Sequence, residues 1–349
     1  MIMHRKKLTE LCSIQYGYAF DSDKFTEDKQ YIPLVRIRDV KRGYSETFYS
    51  GEYPDEYVLH TGDLLIGMDG EFNIARWRSR NALLNQRVCK IVANDNTDEE
   101  YLRFYLMKAL KVIEDRTSFA TVKHLSAKEL NKLELDVPEY LEQKKIAQTL
   151  VMTEKMIEFR KQELEELDNL IKSRFVELFG LPVSNTKGWK TELMSEVAPT
   201  VNYSGKFDDE VWLLNLDMVE AQTGKILDYL IVSEEEVGNS TCTFDTSNVL
   251  YSKLRPYLNK VVIPDRCGYA TSELVPLQPI KSKINREYLA FMLRSDEFVA
   301  MINEKVAGAK MPRVSMGDFR KFDVPIPPME LQNQFADFVQ QVDKLKFFL

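Results

Sequence analysis

The chain is poor in cysteine and histidine. Cys12, Cys89, Cys242 and Cys267 are scattered, with no Cys-x-x-Cys pair. That leaves no thiolate zinc framework and no disulfide-stapled fold, so buried free thiols are the expected state. His4, His60 and His124 are the only histidines, too few and too dispersed for a histidine-ligated metal centre. No apolar run reaches the length of a membrane span, and the opening MIMHRKKLTELCSIQYGYAF has neither the apolar core nor the small-residue cleavage site of a secretory signal. The expected location is the cytoplasm, with no membrane partner. Catalytic signatures are missing as well. There is no Gly-x-x-x-x-Gly-Lys-[ST] phosphate loop, no glycine-rich strand-to-helix turn suited to S-adenosylmethionine, and no Asn-Pro-Pro-[YF] motif. Pro54-Asp55 and Pro264-Asp265 lack a nuclease-type [DE]-x-Lys tripeptide at a workable distance downstream. These absences predict no catalytic residue, no metal and no cofactor.

What is present describes an ordinary soluble chain of about two domains: 349 residues, 44% hydrophobic and 29% charged. A formal net charge of −7 argues against indiscriminate binding of nucleic acid. The charges are nonetheless segregated. Acidic residues crowd Glu154 to Asp168, Asp208 to Glu210 and Glu234 to Glu236, while bases gather at Arg36, Arg38, Lys41 and Arg42 and again at Arg76, Arg78, Arg80 and Arg87. Each basic cluster alone reads equally well as the solvated edge of a strand. Their recurrence in both halves raises the functional reading.

That recurrence is the strongest feature of the sequence. The segment opening at Glu100-Tyr101-Leu102 returns at Glu287-Tyr288-Leu289, after about 187 residues, with its order of apolar, basic and proline positions kept. GDLLIGMDGEFNIARW at 62–77 answers SNVLYSKLRPYLNKVV at 247–262, and LVRIRDV at 34–40 answers LLNLDMV at 213–219. A repeat this long buries its own core, so it predicts two homologous domains, not a solenoid. Within the first, LVRIRDV, DLLIGM and RVCKIVA read as strands between Gly43, Gly51, Pro54, Gly62 and Gly70, followed by a helix over 100–114. Within the second, WLLNL, KILDYLIV, NVLYSKL and NKVVIP read as strands, followed by a helix over about 285–306. The fold class is therefore α+β, with strands early and helices late in each repeat.

Between the repeats, residues 139–179 contain neither glycine nor proline, and Leu150, Ile157, Leu164, Ile171 and Leu178 recur every seven residues, with Leu167 on the companion positions. This predicts a helix of roughly 60 Å, stopped by Gly180 and Pro182. Its expected mate is the tail, where Phe335, Phe338, Val342, Leu345 and Leu349 are spaced three and four apart. The domain plan is 1–138 and 181–328 for the two mixed domains, 139–180 for the helical spacer, and 329–349 for a short C-terminal helix, the two helices forming an antiparallel coiled coil.

The phrase Pro138, Glu142, Gln143, Ile146 and Ala147 opens the long helix, and a looser version at Pro327, Pro328, Glu330, Leu331 and Gln332 opens the tail, with Phe335 and Ala336 as its following pair. With two variable domains alternating with two such helices, the chain resembles the specificity subunit of type I restriction-modification systems, the HsdS family. The resemblance implies a non-catalytic subunit with two target-recognition domains that reads a bipartite site on double-stranded DNA. It also implies docking of methyltransferase (M) subunits and, through the complex, a restriction/translocase (R) subunit. By position in the repeat, the candidate DNA contacts are Arg36, Arg38, Asn73, Arg76, Arg78, Lys123 and His124, and in the second half Asn215, Lys253, Arg255, Asn259, Lys260, Lys310 and Arg313. A tail half the length of the central helix departs from the family, whose helices are comparable. An orphan or truncated DNA-binding scaffold without enzyme partners is the alternative.

Overall fold

The computed structural model describes residues 2–116, 123–207, 209–306 and 311–348. They divide into two units, Met1–Phe159 and Arg160–Leu349, and the division falls inside the single helix Tyr140–Phe179. In the first unit the strand His4–Lys7 pairs antiparallel with Glu134–Val137, tying the start of the repeat to the residues just ahead of the long helix. An antiparallel sheet runs in the order Cys12–Tyr16, Val88–Ala93, Leu64–Gly67, Ile74–Arg76. The helix Glu99–Arg116 covers it, burying Leu102, Leu106 and Leu110 with Leu8, Leu11, Leu64, Ile66 and Ile91. A second sheet runs Phe25–Thr26, Phe48–Tyr49, Ile32–Val35, Ala82–Leu84, Val58–Leu59, with Ile32–Val35 parallel to Ala82–Leu84 and every other pair antiparallel.

The second unit repeats this plan with one strand fewer in each sheet. Thr191–Leu193 pairs antiparallel with Asp323–Pro325. Leu274–Leu277, Val249–Ser252 and Val261–Val262 form the first sheet, with Thr200 bridging Leu277 where the first unit has a full strand. The second sheet runs Leu230–Ser233, Glu210–Leu214, Gly268–Thr271, Thr241–Phe244, matching the last four strands of its counterpart, and again the two middle strands of those four are the parallel pair. Equal order and equal direction across two sheets bear out the duplication read from the sequence.

Three elements differ from the sequence reading. LVRIRDV is a strand only as far as Val35; Ile37–Arg42 is helical because the Asp39 carboxylate accepts the Arg36 N–H (2.9 Å), and Gly43 ends it at φ 77°. Alternation over so few residues does not separate strand from capped turn. KILDYLIV is a strand only at Leu230–Ser233. The expected helix over 285–306 is two, Arg286–Arg294 and Asp296–Glu304, because the Ser295 hydroxyl accepts the Phe298 N–H and restarts the chain as a new N-terminus. Of the cysteines, Cys12 and Cys89 are buried, and burial pushes each thiol up to about 12; Cys267 is exposed, against expectation.

The proline-glutamine phrase has a physical job in both units. Buried Gln143 donates to the Pro138 carbonyl (2.9 Å) and accepts the Asp98 N–H (3.0 Å). Buried Gln332 donates to the carbonyls of Pro327 (2.9 Å) and Lys283 (3.0 Å) and accepts the Asn285 N–H (2.8 Å). Each glutamine thus clamps the first turn of its helix to the segment that starts an earlier one, Glu99–Arg116 in the first unit and Arg286–Arg294 in the second. Gln143→Leu and Gln332→Leu should each leave buried backbone groups unpaired and cost about 1–3 kcal/mol. Faster hydrogen exchange at the Asp98 and Asn285 amides checks this, and unchanged protection there would contradict it.

The long helix serves each unit as core. Ile146 and Ala147 pack into the first unit, and Ile171, Phe175 and Phe179 into the second. In the second unit the C-terminal helix Met329–Phe347 runs antiparallel to it: Phe335 meets Phe175 and Phe179, Phe338 lies by Arg174, and Lys346 pairs with Asp168 (2.6 Å). Val342 is buried there, with Val339, while Leu164, Leu167, Leu178 and Phe338 are partly buried. The expected seam stops at that point. Leu345 (57%) is exposed although the neighbouring Lys346 pairs with Asp168, and Leu150 (37%) and Ile157 (52%) are exposed as well. Leu349 lies outside the described residues.

Candidate nucleic-acid interface

In each unit three segments converge at one end of the first sheet. In the first unit they are the loop after Leu64–Gly67, the turn before Val88–Ala93, and Lys123–Leu125. Met68 N–H bonds the Arg87 carbonyl (2.9 Å), Leu125 N–H that of Met68 (2.7 Å) and Gly70 N–H that of Lys123 (2.9 Å). The second unit repeats the three bonds: Lys253 N–H to Glu273 (3.0 Å), Val314 N–H to Lys253 (2.8 Å) and Arg255 N–H to Pro312 (2.8 Å). Backbone bridges Asp69 to His124 and Leu254 to Arg313 complete the match.

On this shared backbone the polar side chains are exchanged. His124 pairs with Asp69, and the Arg87 guanidinium lies 3.2 Å from the His124 ring and 3.6 Å from Asp69. In the second unit Arg313 bonds Glu273 (3.0 Å), so a carboxylate stands where the first unit has Arg87, and a guanidinium where it has His124. Lys123 pairs with Glu114 (3.2 Å). Asn73 donates to the Glu71 carbonyl and its own Oδ1 is buried with no partner among the described residues.

Arg36 and Arg38 are exposed and line a cleft of about 570 Å³ with Phe25, Thr26, Glu27, Lys29, Glu46, Thr47 and Phe48. Lys41, on the helix that follows Arg36, pairs with Glu71 (3.2 Å) of the loop after Leu64–Gly67; exposed Arg78 packs its stem on Gly43 at the end of the same helix. In the second unit Lys253 and Arg255 are half-buried on the loop, and Asn215 precedes the short turn Leu216–Met218. Lys310 lies outside the described residues.

Three candidates face inward. Asn259 is buried and donates to the Arg294 carbonyl (2.9 Å). Lys260 donates to the Leu216 carbonyl (2.8 Å), and burial lowers its pKa. Arg76 pairs with Glu99 (2.8 Å) and Glu100 (2.6 Å), and Glu100 in turn binds Arg103, which holds Glu154 of the long helix at 2.6 Å. Burial works to raise the Glu100 carboxyl, but hydrogen bonds from Arg103 and Arg76 outweigh it and hold it below the usual carboxylate range. A carboxyl depressed in the folded state stabilises above its unfolded pKa and loses that contribution as pH falls through the folded value. Arg76→Ala should therefore lower the melting temperature of the first unit at pH 7, with the gap to wild type closing as pH drops below about 4. A gap independent of pH would contradict this.

The sequence reading passed over Asp69, Glu273 and, as a site residue, Arg87. Arg87 sits at φ 71° in a tight turn, and nothing in an arginine's one-letter code announces a left-handed backbone.

Two stretches of the chain, 3–169 and 221–347, match the family model described as the type I restriction modification DNA specificity domain. The chain is similar to the EcoBI type I specificity subunit of Escherichia coli, 40% identical over 169 residues, which cover 48% of this chain and 36% of that protein. It is also similar to the EcoDI specificity subunit of Escherichia coli, 22% identical with 88% of this chain and 79% of that one covered. The chain thus spans little more than a third of the EcoBI relative. Among solved structures, the type I S subunit of M. genitalium aligns with a TM-score of 0.57 at 16% identity, over 99% of this chain and 90% of that one, a likeness of fold. Among the described residues no helix is long and apolar enough to cross a membrane.

Proposed function

The chain belongs to the type I restriction-modification DNA specificity family, and from that premise we propose that it reads a two-part target on double-stranded DNA, one half with each unit. The observation that carries this is the conserved three-bond backbone junction with exchanged polar groups, Asp69, Arg87 and His124 in one unit and Arg255, Glu273 and Arg313 in the other. A constant frame with interchangeable donors and acceptors is what two readers of different base sequences require, since bases are distinguished by hydrogen-bonding edges in the major groove. Arg36, Arg38, Asn73, Arg78, Lys123 and His124 make up the DNA face of the first unit. Lys253, Arg255 and Arg313 make up that of the second, and Asn215 and Lys310 are assigned to it by their position in the sequence repeat alone. Arg76, Asn259 and Lys260 hold the frame instead of touching DNA.

The chain itself is non-catalytic and binds no cofactor. Methylation belongs to M subunits docked on it, and cleavage to an R subunit that joins through the complex, all in the cytoplasm. His124→Ala should relax base preference in one half of the target only, and Arg313→Ala in the other half only, each by about 5- to 150-fold at the affected position. Sequencing of methylated sites from cells expressing each variant reads this out. Both substitutions disturbing the same half would overturn the assignment. Co-purification of the intact chain with a methyltransferase subunit separates this reading from an orphan scaffold.

A further inference from the structure

Arg255 occupies a backbone position that its counterpart gives to glycine. Its φ is 50° and that of Gly70 is 70°, and the two N–H groups make the same bond, to Pro312 and to Lys123. A left-handed conformation costs a side-chain-bearing residue energy that glycine escapes, so such strain persists only where neighbours enforce it. Here they do. The Leu258 N–H bonds the Arg255 carbonyl (2.9 Å), Gln222 bonds the carbonyls of Tyr257 and Leu258 (2.9 Å each), and Asn259 is itself left-handed at φ 49°. The Arg255 Nε is buried without a partner, and the guanidinium makes no hydrogen bond or ion pair among the described residues. Glycine would relieve the backbone with no loss of a side-chain hydrogen bond or ion pair among the described residues, yet this unit places an arginine there. The neighbouring Arg313 is already bonded to Glu273.

Resting on the two-part reading above, we propose that Arg255 is a specificity-determining residue of the second unit, its guanidinium fork reading the O6 and N7 edge of one guanine. The first unit has no side chain at that station; a Cβ on Gly70 would meet nothing within 4 Å. Its half of the target is read by His124, which the Arg87 guanidinium approaches to 3.2 Å. The two halves therefore share the His124 and Arg313 station and differ at the Gly70 and Arg255 station.

The test is selection of duplexes from a randomised DNA library by the full chain, comparing wild type with Arg255→Gly and Arg255→Lys, alongside thermal melting. Both variants are expected to lose the preference for one G·C pair by about 5- to 150-fold, with every other position of the motif kept. Arg255→Gly should melt at the same temperature as wild type or about 2–4 °C higher, through relief of strain. Three results would overturn the inference: an unchanged motif in both variants, a uniform loss of affinity across all sequences as a phosphate contact would give, or a clear fall in melting temperature for Arg255→Gly. A wild-type chain that selects no two-part motif would instead sink the functional reading itself, and this inference with it.

Discussion

Phe335→Ala is expected to destabilise the second unit strongly and leave the first unchanged. The ring is wholly buried and meets Phe175 at 5.4 Å, Phe179 at 5.5 Å and Phe291 at 5.2 Å, so it joins the C-terminal helix, the long helix and the helix Arg286–Arg294 at one point. Truncating a buried phenylalanine costs about 3–5 kcal/mol, a large share of the roughly 5–15 kcal/mol that holds a domain. Ile157→Ala on the same long helix is the control. At 52% exposure it should change stability by no more than about 0.5 kcal/mol. Calorimetry should therefore show one of two transitions displaced downward in Phe335→Ala and neither in Ile157→Ala. Equal losses from both substitutions would mean that the exposed stretch of the helix is covered after all.

The contrast between these two residues also marks how far the sequence could be read. Duplication was legible, because the constraint that keeps a core repeats at a fixed offset; strand order and direction then follow in both units. The heptad stripe was legible as a helix but not as a contact. A stripe says that a face is apolar and says nothing of how far a mate extends, and here the mate ends opposite Asp168 while Leu150 and Ile157 remain exposed. The Pro138 to Gln143 phrase was visible as a signature, and only the hydrogen bonds of Gln143 and Gln332 give it a cause. Charge clusters were the least reliable guide. Arg76 and Arg78 are two residues apart and have opposite fates, one locked to Glu99 and Glu100, the other exposed, because Arg76 ends the strand Ile74–Arg76 beside the helix Glu99–Arg116 while Arg78 lies beyond the strand, against Gly43. Backbone handedness at Arg87 and Arg255 left no trace in composition at all.

Deleting one heptad, Glu158 to Leu164, is expected to shorten the gap between the two halves of the DNA target. The segment is a favourable place to cut. Glu158 through Glu163 are exposed, Leu164 is half-buried, and the ion pair Arg160–Glu163 (2.7 Å) leaves as a unit, so neither core loses a buried side chain. Seven residues are close to two full turns, so the helix resumes within about 20° of its former phase. It loses about 10 Å of length, the rise of roughly three base pairs. Genome-wide mapping of methylated bases in cells carrying wild type or the deletion is the most direct measurement of the central claim, that two units of one frame read two separated half-sites. The account predicts a split motif whose two halves are kept by the deletion while the gap between them shrinks by about three base pairs. A continuous motif in wild type, or an unchanged gap after the deletion, would contradict it.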